Sequence, residues 1–369
     1  MKSVGIICEY NPFHNGHIYH IKKVKEMYPD YLIILVMSGN YTQRGEVSLI
    51  DKWDKTRIAL NYVDLVIELP FPFSTQSADL FAYGSTQILK LLKANSFVFG
   101  SESPYSDLLK MAQIQKTIQF QKLVKESLNK GINYPTALSN ATFKLTNIKT
   151  DKPNDLLGIS YIKNLIDSDI EIKTIKRTND FHNSNLNSNI ISASTIRNLL
   201  INKKDISQYV PKETLTKMQN LHFTEDYFPY LKYKIISEIN NLNIYQTVDE
   251  GLENRIKKYI YEANSLNDLI TKIKTKRYTY NKLQRMFIHI LCSFTKEDAK
   301  QMKEIEYIRV LGFNEKGQKY LKEIKEQINI PIITNYYHNK MFDFEIKVDM
   351  LYHLNEKDKE NEYARIPIH

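Results

Sequence analysis

Short apolar runs alternate with amphipathic stretches over the first hundred residues of the chain. The apolar runs predict buried strands over Val4–Cys8, Tyr31–Met37, Leu65–Ile67 and Phe97–Phe99. The stretches between them have helical spacing, over His17–Met27, Asp51–Tyr62 and Ser77–Leu92. Strands and helices that alternate at these separations indicate right-handed βαβ units, and therefore a parallel sheet.

The second half of the chain has a different pattern, because strand-like periods largely disappear beyond Lys203. Helices are predicted there over Tyr227–Leu242, Asn254–Glu262, Leu266–Thr275, Asn281–Ser293 and Gln318–Gln327. We therefore expect an α/β protein with a domain boundary near residue 200. Residues 1–200 would form a Rossmann-like domain with a parallel sheet, followed by a mainly α-helical C-terminal domain over residues 201–369.

Glycine and small polar residues follow each of the predicted strands. They occur in Glu9–His17, Ser38–Glu46, Glu68–Phe71 and Gly100–Ser103. The carboxyl ends of parallel strands lie at one edge of a sheet, and ligands of such sheets bind beyond that edge. This clustering therefore indicates a ligand site rather than packing.

The composition is that of a globular protein, since 42% hydrophobic and 25% charged residues exclude a disordered or collagen-like chain. No apolar run reaches the ~18 residues that a membrane-spanning helix needs. The N-terminal apolar run stops at Glu9 without a small-residue cleavage site, so no signal peptide is expected. Cys8 and Cys292 lie too far apart in sequence for a disulfide framework or a four-cysteine zinc site. We expect a cytoplasmic protein with no membrane partner.

The formal net charge of +9 favours a polyanionic partner without proving one. The positive excess is shared almost evenly by residues 1–200 and 201–369. A nucleic-acid surface would therefore have to arise from local clustering of cations. A lysine-rich solvated surface explains the net charge equally well.

The motif His14-Asn15-Gly16-His17 lies between the first predicted strand and the first predicted helix. A helix N-terminus presents unpaired N–H groups and a positive dipole end, so it attracts phosphate. Both imidazoles can donate to phosphate oxygens, and Gly16 would leave room for a purine. Two other interpretations of the motif alone stay open. One is a metal site that includes His20, although no nearby cysteine completes a zinc set; the other is simple helix capping.

A second candidate for phosphate binding is the predicted helix start at Ile191–Arg197. Ser192, Ser194 and Thr195 supply three hydroxyl groups, and Arg197 can neutralise phosphate with two parallel hydrogen bonds. A serine cap by itself would be ordinary. Together with the histidine motif it predicts a clamp that holds a triphosphate from two sides.

Several strings of the sequence resemble known families. The strand followed by Glu9–His17 resembles the His-x-Gly-His signature of the nucleotidyltransferase superfamily. Longer strings are similar to the bacterial tRNA(Met) cytidine acetate ligases, and these strings are Met37–Glu46, Asp64–Pro72, Phe99–Glu102, Lys152–Gly158, Lys274–Tyr280 with Gln284-Arg285, and Tyr307–Gly312. The resemblance spans nearly the whole chain, and it makes the first domain a nucleotidyltransferase-like domain that activates acetate with ATP.

The resemblance implies an ATP-dependent ligase that makes N4-acetylcytidine at the wobble position of elongator tRNA(Met), from free acetate through acetyl-adenylate. It also implies ATP contacts by Ile7, Cys8, Glu9, Tyr10, Asn11, Pro12, Phe13, His14, Asn15, Gly16, His17, Ile18, Tyr19, His20, Gly100, Asn154 and Arg177. The chain departs from the family at Asp155, where a second asparagine is common. The string Lys176–Asn183 around Arg177 is a loose match.

Combined with the two phosphate-binding candidates, the resemblance suggests a role for each group. His14 and His17 are expected to be catalytic, acting on the α- and β-phosphates of ATP. The departing pyrophosphate is assigned to Ser194, Thr195 and Arg197. Mg²⁺ is expected with the nucleotide, bridging phosphates without a dedicated protein cage.

Residues 271–295 form a basic segment with no acidic residue. Tyr278 and Tyr280 lie among its lysines and arginines, and tyrosine rings can stack on unpaired bases. We expect tRNA to bind here through Lys274, Lys276, Arg277, Tyr278 and Arg285. A solvated basic helix face is the alternative.

Two other functions and the oligomeric state remain open at this point. A small-molecule nucleotidyltransferase would use the same clamp but would leave the second half of the chain without a role. Acetate dependence of ATP–pyrophosphate exchange distinguishes it from the ligase. An RNA-binding protein with a vestigial nucleotide fold would fail to bind ATP in a titration.

Overall fold

The computed structural model describes residues 1–149, 152–177, 189–356 and 361–369. The strands in these ranges are β1 (Ser3–Cys8), β2 (Leu32–Ser38), β3 (Leu65–Leu69), β4 (Ser96–Ser101), β5 (Glu171–Lys176), β6 (Ile308–Phe313) and β7 (Ile332–Ile333). They form a seven-stranded sheet in the order β5-β4-β1-β2-β3-β6-β7. Strands β1 to β5 are parallel, β6 is antiparallel to β3, and β7 is parallel to β6.

Helices connect and cover these strands. The α-helices of the described residues are α1 (Asn15–Met27), α2 (Lys52–Ala59), α3 (Phe71–Ser74), α4 (Ala78–Leu91), α5 (Tyr105–Gln115), α6 (Ile118–Asn129), α7 (Tyr134–Thr146), α8 (Pro153–Leu165), α9 (Ala193–Ile201), α10 (Lys212–Leu215), α11 (Phe228–Ser237), α12 (Leu252–Tyr259), α13 (Leu266–Ile273), α14 (Tyr280–Leu291), α15 (Lys296–Gln301), α16 (Glu315–Ile324) and α17 (Lys340–Tyr352). Short 3₁₀ helices cover Thr224–Tyr227, Leu242–Ile244, Lys325–Gln327 and Glu362–Ala364.

Strand β2 shows why its sequence is a continuous apolar run. All of its residues are buried. Leu32, Ile34 and Val36 pack into one hydrophobic cluster, and the alternate residues Ile33 and Leu35 pack into another. Since successive side chains of a strand point to opposite faces, both faces of the sheet are covered. This is the arrangement that the βαβ pattern predicts.

The predicted α/β fold is confirmed, and each of the four predicted strands agrees with a strand of the structure to within two residues. Predicted helix starts at Asp51 and Ser77 prove to be the N-cap residues of α2 and α4. The Asp51 carboxylate accepts a hydrogen bond from the Asp54 N–H at 2.6 Å. Each predicted helix included its N-cap residue, so the helix in the structure begins one residue later at both places.

The second half is mainly helical, as expected, but the prediction did not include strand β6. This strand pairs with β3, with Leu65 opposite Phe313. Arg309 interrupts its apolar run, but it is buried in ion pairs with Glu68 at 2.9 Å and Glu362 at 2.6 Å. A charged residue in a buried strand hides the strand pattern, because its partners lie far away in sequence.

The sheet and the largest hydrophobic cluster both cross residue 200. That cluster joins Ile34 and Phe99 of the first half to Phe287 and Val310 of the second. The division into 1–200 and 201–369 therefore stays a prediction about folding units. Among the described residues, no helix is both long enough and apolar enough to cross a bilayer.

Candidate active site

The histidine motif starts helix α1 at the carboxyl end of β1. His14 is the N-cap residue, and its Nδ1 accepts a hydrogen bond from the Gly16 N–H at 3.0 Å. Nδ1 of His17 accepts from the His14 N–H at 3.2 Å. A neutral imidazole carries one N–H, so the proton of each ring is on Nε2. Both rings therefore have an Nε2–H group to donate to a ligand.

Both imidazoles are neutral near pH 7. Burial, with the guanidinium groups of Arg177 and Arg197 nearby, lowers the pKa of His14 to about 3. Burial and the neighbouring His14 and His20 hold the pKa of His17 well below 6.5. The ring centroids of His14 and His17 are 3.9 Å apart. Two neutral donors fixed side by side suit an oxygen whose negative charge grows during a reaction.

Glycines at two predicted positions allow close approach of side chains. A Cβ at Gly16 would lie 2.7 Å from Cε1 of His14 and 3.3 Å from Cγ2 of Ile190. The space over Gly16 is thus taken by these side chains rather than left open for a purine. A Cβ at Gly100 would lie 3.3 Å from Cγ of Arg177, so this glycine lets the arginine lie across the end of β4.

Helix α9 has the predicted serine cap. Ser192 Oγ accepts a hydrogen bond from the Thr195 N–H at 3.1 Å. It also lies 2.8 Å from Ser194 Oγ and 2.8 Å from Thr195 Oγ1. The three hydroxyl groups form one half-buried cluster at the N-terminal end of α9, where the helix dipole favours an anion.

The two predicted phosphate-binding elements contact each other. Arg197 of α9 donates from Nη1 to the main-chain oxygen of Asn11 at 2.7 Å and from Nη2 to Glu46 Oε1 at 2.7 Å. Asn15 donates from Nδ2 to the main-chain oxygens of Asn189, which precedes α9, and Gln208, which follows it, both at 2.9 Å. The start of α1 is therefore fastened to both sides of α9. In this arrangement Arg197 positions the histidine motif as well as adding positive charge beside it.

Gly100, Asn154 and Arg177 also come together, around a residue that the sequence did not single out. Asn154 Nδ2 donates to Glu102 Oε1 at 2.5 Å, and Arg177 Nε lies 3.8 Å from the same oxygen. Burial raises the pKa of Glu102. The remainder of the loosely matched string after Arg177 begins outside the described residues, at position 178.

Asp155 has a structural role next to this group. Its Oδ1 accepts from the N–H groups of Glu102 at 2.9 Å and Ser103 at 3.2 Å, and its Oδ2 accepts from Ser103 Oγ at 2.6 Å. The carboxylate thus holds the loop that follows β4. Aspartate at this position is explained by the three donors that surround it.

Lys55 is a buried residue of the site that the sequence analysis missed. Its Nζ donates to the main-chain oxygens of Glu9 at 3.1 Å, Ser38 at 2.9 Å and Gly39 at 2.6 Å. Burial lowers its pKa to about 7. The side chain ties the end of β1 to the end of β2. A lysine on the apolar face of a predicted helix was the feature that could have revealed it.

The loop after β2 packs on helix α14 of the second half. Gly45 has a φ of +78°, and a Cβ there would lie 2.4 Å from the main-chain nitrogen of Arg285. Arg285 Nη1 donates to the main-chain oxygen of Gln43 at 3.2 Å. Burial lowers the pKa of Arg285 to about 10. Arg285 is therefore half-buried beside the loop that follows β2 rather than on an open basic surface.

The predicted tRNA-binding residues of the basic segment separate into two groups. Lys274, Lys276 and Arg277 are exposed, although Arg277 pairs with Glu250 at 2.6 Å. Tyr278 is only 6% exposed, and its hydroxyl donates to Glu250 at 2.8 Å. The buried ring of Tyr278 offers no face to a base in this structure, so its contact with tRNA stays a prediction.

The remaining predicted ATP contacts surround the histidines. Tyr10 and Phe13 are buried, and their ring centroids lie 4.6 Å and 5.6 Å from that of His17. Burial raises the pKa of Cys8 to about 12, so it is a neutral thiol. Tyr19 is exposed on the outer side of α1. The others are half-buried or buried around the same turn, and they are Ile7, Glu9, Pro12, Ile18 and His20.

Buried polar atoms without partners indicate where a nucleotide fits. Asn11 Nδ2, His20 Nε2 and Glu102 Oε2 have no hydrogen-bond partner among the described residues. A buried polar group that makes no hydrogen bond costs free energy, and a polar ligand beside these three atoms would remove that cost. All three belong to the strings predicted to contact ATP or lie next to them. The residues present therefore suit a polar ligand at this edge of the sheet.

The chain is similar to known nucleotidyl transferases along nearly its full length. A family model of the HIGH nucleotidyl transferases matches residues 1–365. The chain is 38% identical over 380 residues to the tRNA(Met) cytidine acetate ligase of Anoxybacillus flavithermus, covering 97% of this chain and 93% of that protein. It is 40% identical over 360 residues to the same enzyme of Oceanobacillus iheyensis, covering 91% and 90%.

Two crystal structures are similar along the full length. The TmcAL protein of Thermotoga maritima in its apo form matches with a TM-score of 0.91 and 30% identity, over 100% of this chain and 99% of that one. The same protein bound with alpha-thio ATP matches with a TM-score of 0.89 and 29% identity, over the same shares. The chain therefore belongs to the HIGH nucleotidyl transferase family and, within it, to the tRNA(Met) cytidine acetate ligases.

Proposed function

We propose that this chain acetylates the N4 amine of the wobble cytidine of elongator tRNA(Met), using ATP and free acetate and passing through acetyl-adenylate. Family membership supports the reaction class. The observation that carries the proposal is the pair of neutral Nε2–H donors on His14 and His17, fixed by main-chain hydrogen bonds at the start of α1. A site that activates a carboxylate with ATP needs such donors at the phosphates.

The chemistry requires an activated acetate. The exocyclic amine of cytosine is a poor nucleophile, because its lone pair is delocalised into the ring. Acetate is a poor acyl donor, because its leaving group would be oxide. Joining acetate to AMP gives a mixed anhydride with a good leaving group. The protein must therefore bring together ATP and acetate first, and the amine of tRNA second.

In the first step an acetate oxygen attacks the α-phosphorus of ATP. The bond between the α-phosphorus and the oxygen that bridges it to the β-phosphorus breaks, and pyrophosphate leaves with that oxygen. His14 and His17 donate to the phosphate oxygens on which charge develops. Ser194 and Thr195 donate to the departing pyrophosphate, and Arg197 holds the two elements together beside it. Mg²⁺ bound with the nucleotide would neutralise phosphate charge.

In the second step the cytidine amine attacks the acetyl carbonyl, and AMP leaves. The exposed cations Lys274, Lys276 and Arg277 bind the phosphates of tRNA in this proposal. Tyr280, which is 37% exposed, replaces Tyr278 as the ring available to a base. Arg285 contacts Gln43 in the loop that follows β2, so in this proposal it connects the tRNA-binding half to the nucleotide site.

The test is to incubate the protein with ATP, radiolabelled acetate and elongator tRNA(Met), and then digest the tRNA and identify the labelled nucleoside. The proposal predicts label in N4-acetylcytidine at the wobble position and none when ATP is left out. A parallel assay without tRNA measures ATP–pyrophosphate exchange, which should depend on acetate. Exchange that is independent of acetate would instead support a small-molecule nucleotidyltransferase.

A further inference from the structure

A second group of histidines lies outside the nucleotide site. His222 and His353 are 8% and 6% exposed, and Glu356 lies between them. One ligand atom from each of the three residues can be chosen so that all lie within 4.8 Å of one another. Neither the sequence motifs nor the proposed reaction gives these residues a role.

The group joins three parts of the chain. His353 is the C-cap residue of α17, and Glu356 follows three residues later. His222 comes from the segment before α11, and its main-chain N–H donates to the main-chain oxygen of Leu49 at 2.9 Å. The ring of His222 stacks on Tyr352, with centroids 4.1 Å apart. A ligand bound by these residues would therefore join the end of α17 to the segment before α11, which is itself hydrogen-bonded to Leu49.

Hydrogen bonds fix the tautomer of His222. The hydroxyl of Tyr227 donates its proton to the main-chain oxygen of Tyr352. His222 Nδ1 lies 2.7 Å from the same hydroxyl oxygen, so Nδ1 must be the donor in that contact. In a neutral ring Nε2 then carries a lone pair. Yet Nε2 lies 2.7 Å from Glu356 Oε1, an atom that also accepts when the carboxylate is ionised.

An imidazole nitrogen and a carboxylate oxygen this close together can both be ligands of one metal ion, because both bind metals through lone pairs. The three side chains therefore bring two imidazole nitrogens and one carboxylate within reach of a single metal ion.

In metal-binding histidines, an oxygen atom usually lies beside the ring nitrogen that does not bind the metal. Both rings of this group have such an oxygen nearby. Nδ1 of His353 lies 2.6 Å from Glu356 Oε2, and its buried Nε2 has no hydrogen-bond partner among the described residues. That Nε2 is 3.9 Å from Asp349 Oδ1. With Nδ1 on a metal, the proton of His353 moves to Nε2 and faces this carboxylate. Tyr227 has the corresponding position at His222, and such outer oxygens orient the ligating rings.

There is also room beside the group. A cavity of about 200 Å³ is bounded by Asp51, Asp54, His222 and Glu356, among others. It can hold a water molecule as a fourth ligand. Two imidazoles, one carboxylate and a water are a common tetrahedral set for Zn²⁺. Mg²⁺ prefers oxygen ligands and octahedral geometry, so this set disfavours it.

We propose that His222, His353 and Glu356 form a binding site for one Zn²⁺ ion, separate from the nucleotide site. The ion would cross-link the end of α17 and the segment before α11. It takes no part in the proposed reaction. The inference does not depend on the proposed function, since it rests only on the donors and their hydrogen bonds.

The test uses the full chain without a histidine tag, stripped of metal by dialysis against a chelator. Zn²⁺ is then titrated in competition with a chromophoric chelator. We expect one Zn²⁺ per chain in the wild type, and loss of this binding in His353→Gln and Glu356→Gln. His338→Gln is the matched control, because the His338 side chain is 88% exposed in another part of the chain. Equal binding by all four proteins would overturn the proposal.

The zinc affinity of Tyr227→Phe tests the proposed site in a way that a purely structural role of these residues would not affect. This variant keeps all three ligands and removes only the hydroxyl that accepts from His222. We expect zinc affinity to fall by about 10- to 100-fold. Unchanged affinity would contradict the proposed orientation of the ring.

If a variant does not fold, the wild type alone decides the question. The X-ray absorption spectrum of the zinc-loaded protein reports the number of imidazole ligands. Two imidazoles support the site, whereas an all-oxygen set, or no bound Zn²⁺, contradicts it. The thermal midpoint of the wild type should also rise with Zn²⁺ and stay unchanged with the same concentration of Mg²⁺.

Discussion

The chain contains two pairs of buried or half-buried histidines with opposite hydrogen-bond patterns. In the first pair, His14 and His17, each Nδ1 accepts from a main-chain N–H, so each Nε2 carries a proton to donate. In the second pair, His222 donates from Nδ1 to Tyr227 and turns a lone pair toward Glu356. The first pair suits an anion and the second suits a cation. The partner of the other ring nitrogen, rather than the residue type, decides which ligand a histidine pair binds.

The largest expected effect comes from removing a donor of the first pair. His17→Ala should lower the rate of acetate-dependent ATP–pyrophosphate exchange by about 10²–10³-fold, because one preorganised donor to the phosphate is lost. His338→Ala is the control, since its side chain is 88% exposed. An exchange rate for His17→Ala equal to that of the control would break the assignment of this pair to phosphate.

The basic segment tests the same comparison on a larger anion. Lys274→Ala with Lys276→Ala should weaken tRNA binding, because both lysines are exposed. If each contacts one phosphate, the slope of log K against log salt should become less negative by about 1.5 to 2. Binding isotherms at several salt concentrations measure it. ATP–pyrophosphate exchange should stay unchanged in this variant, and a parallel loss of exchange would contradict a role limited to tRNA.

The free energy of unfolding at acid pH tests whether His14, of the first pair, is neutral and buried. The pKa of His14 is about 3 in the folded chain and near 6.5 in the unfolded one. Between these values the unfolded chain binds more protons, so the free energy of unfolding falls as pH falls, by about 1.4 kcal/mol per pH unit. Above pH 6.5 this contribution is absent. Urea unfolding of wild type and His14→Asn from pH 7 to pH 5 should show the variant losing less stability; identical profiles would argue against a neutral, buried His14.

The smallest expected effect distinguishes the role of His14 as a helix cap from its role as a hydrogen-bond donor to phosphate. His14→Asn keeps an acceptor for the Gly16 N–H, whereas His14→Ala loses it and should cost about 1 kcal/mol of stability. Both variants lose the Nε2–H donor, so both should lose pyrophosphate exchange to a similar extent. Denaturant unfolding and exchange assays on the two proteins measure this. Normal exchange in His14→Asn would mean that His14 is only a cap.

The sequence predicted the strands of the first hundred residues well because these elements depend on local pattern. Strand β2 is apolar from Leu32 to Met37, and the cap residues Asp51 and Ser77 mark helix starts. Strand β6 was missed because Arg309 looks exposed until Glu68 and Glu362 are known to surround it. Charge in the interior depends on partners that sequence proximity does not show.

The candidate site divides in the same way. The motif at His14 and His17 and the cap at Ser192 are contiguous strings, so their chemistry can be inferred from order alone. Lys55 became part of the site only through the carbonyl groups that it contacts. The zinc-binding group brings together residues 134 positions apart, at His222 and Glu356. Tyr278 shows the converse, because its basic neighbours suggested a surface while its ring packs in the core.

The most direct test of the account is a crystal structure of this chain with a non-reactive ATP analogue and Mg²⁺. The account predicts that oxygens of the α- and β-phosphates lie within about 3.2 Å of Nε2 of both His14 and His17, with the terminal phosphates next to the hydroxyl groups of α9. A triphosphate bound away from these imidazoles and from α9 would contradict it.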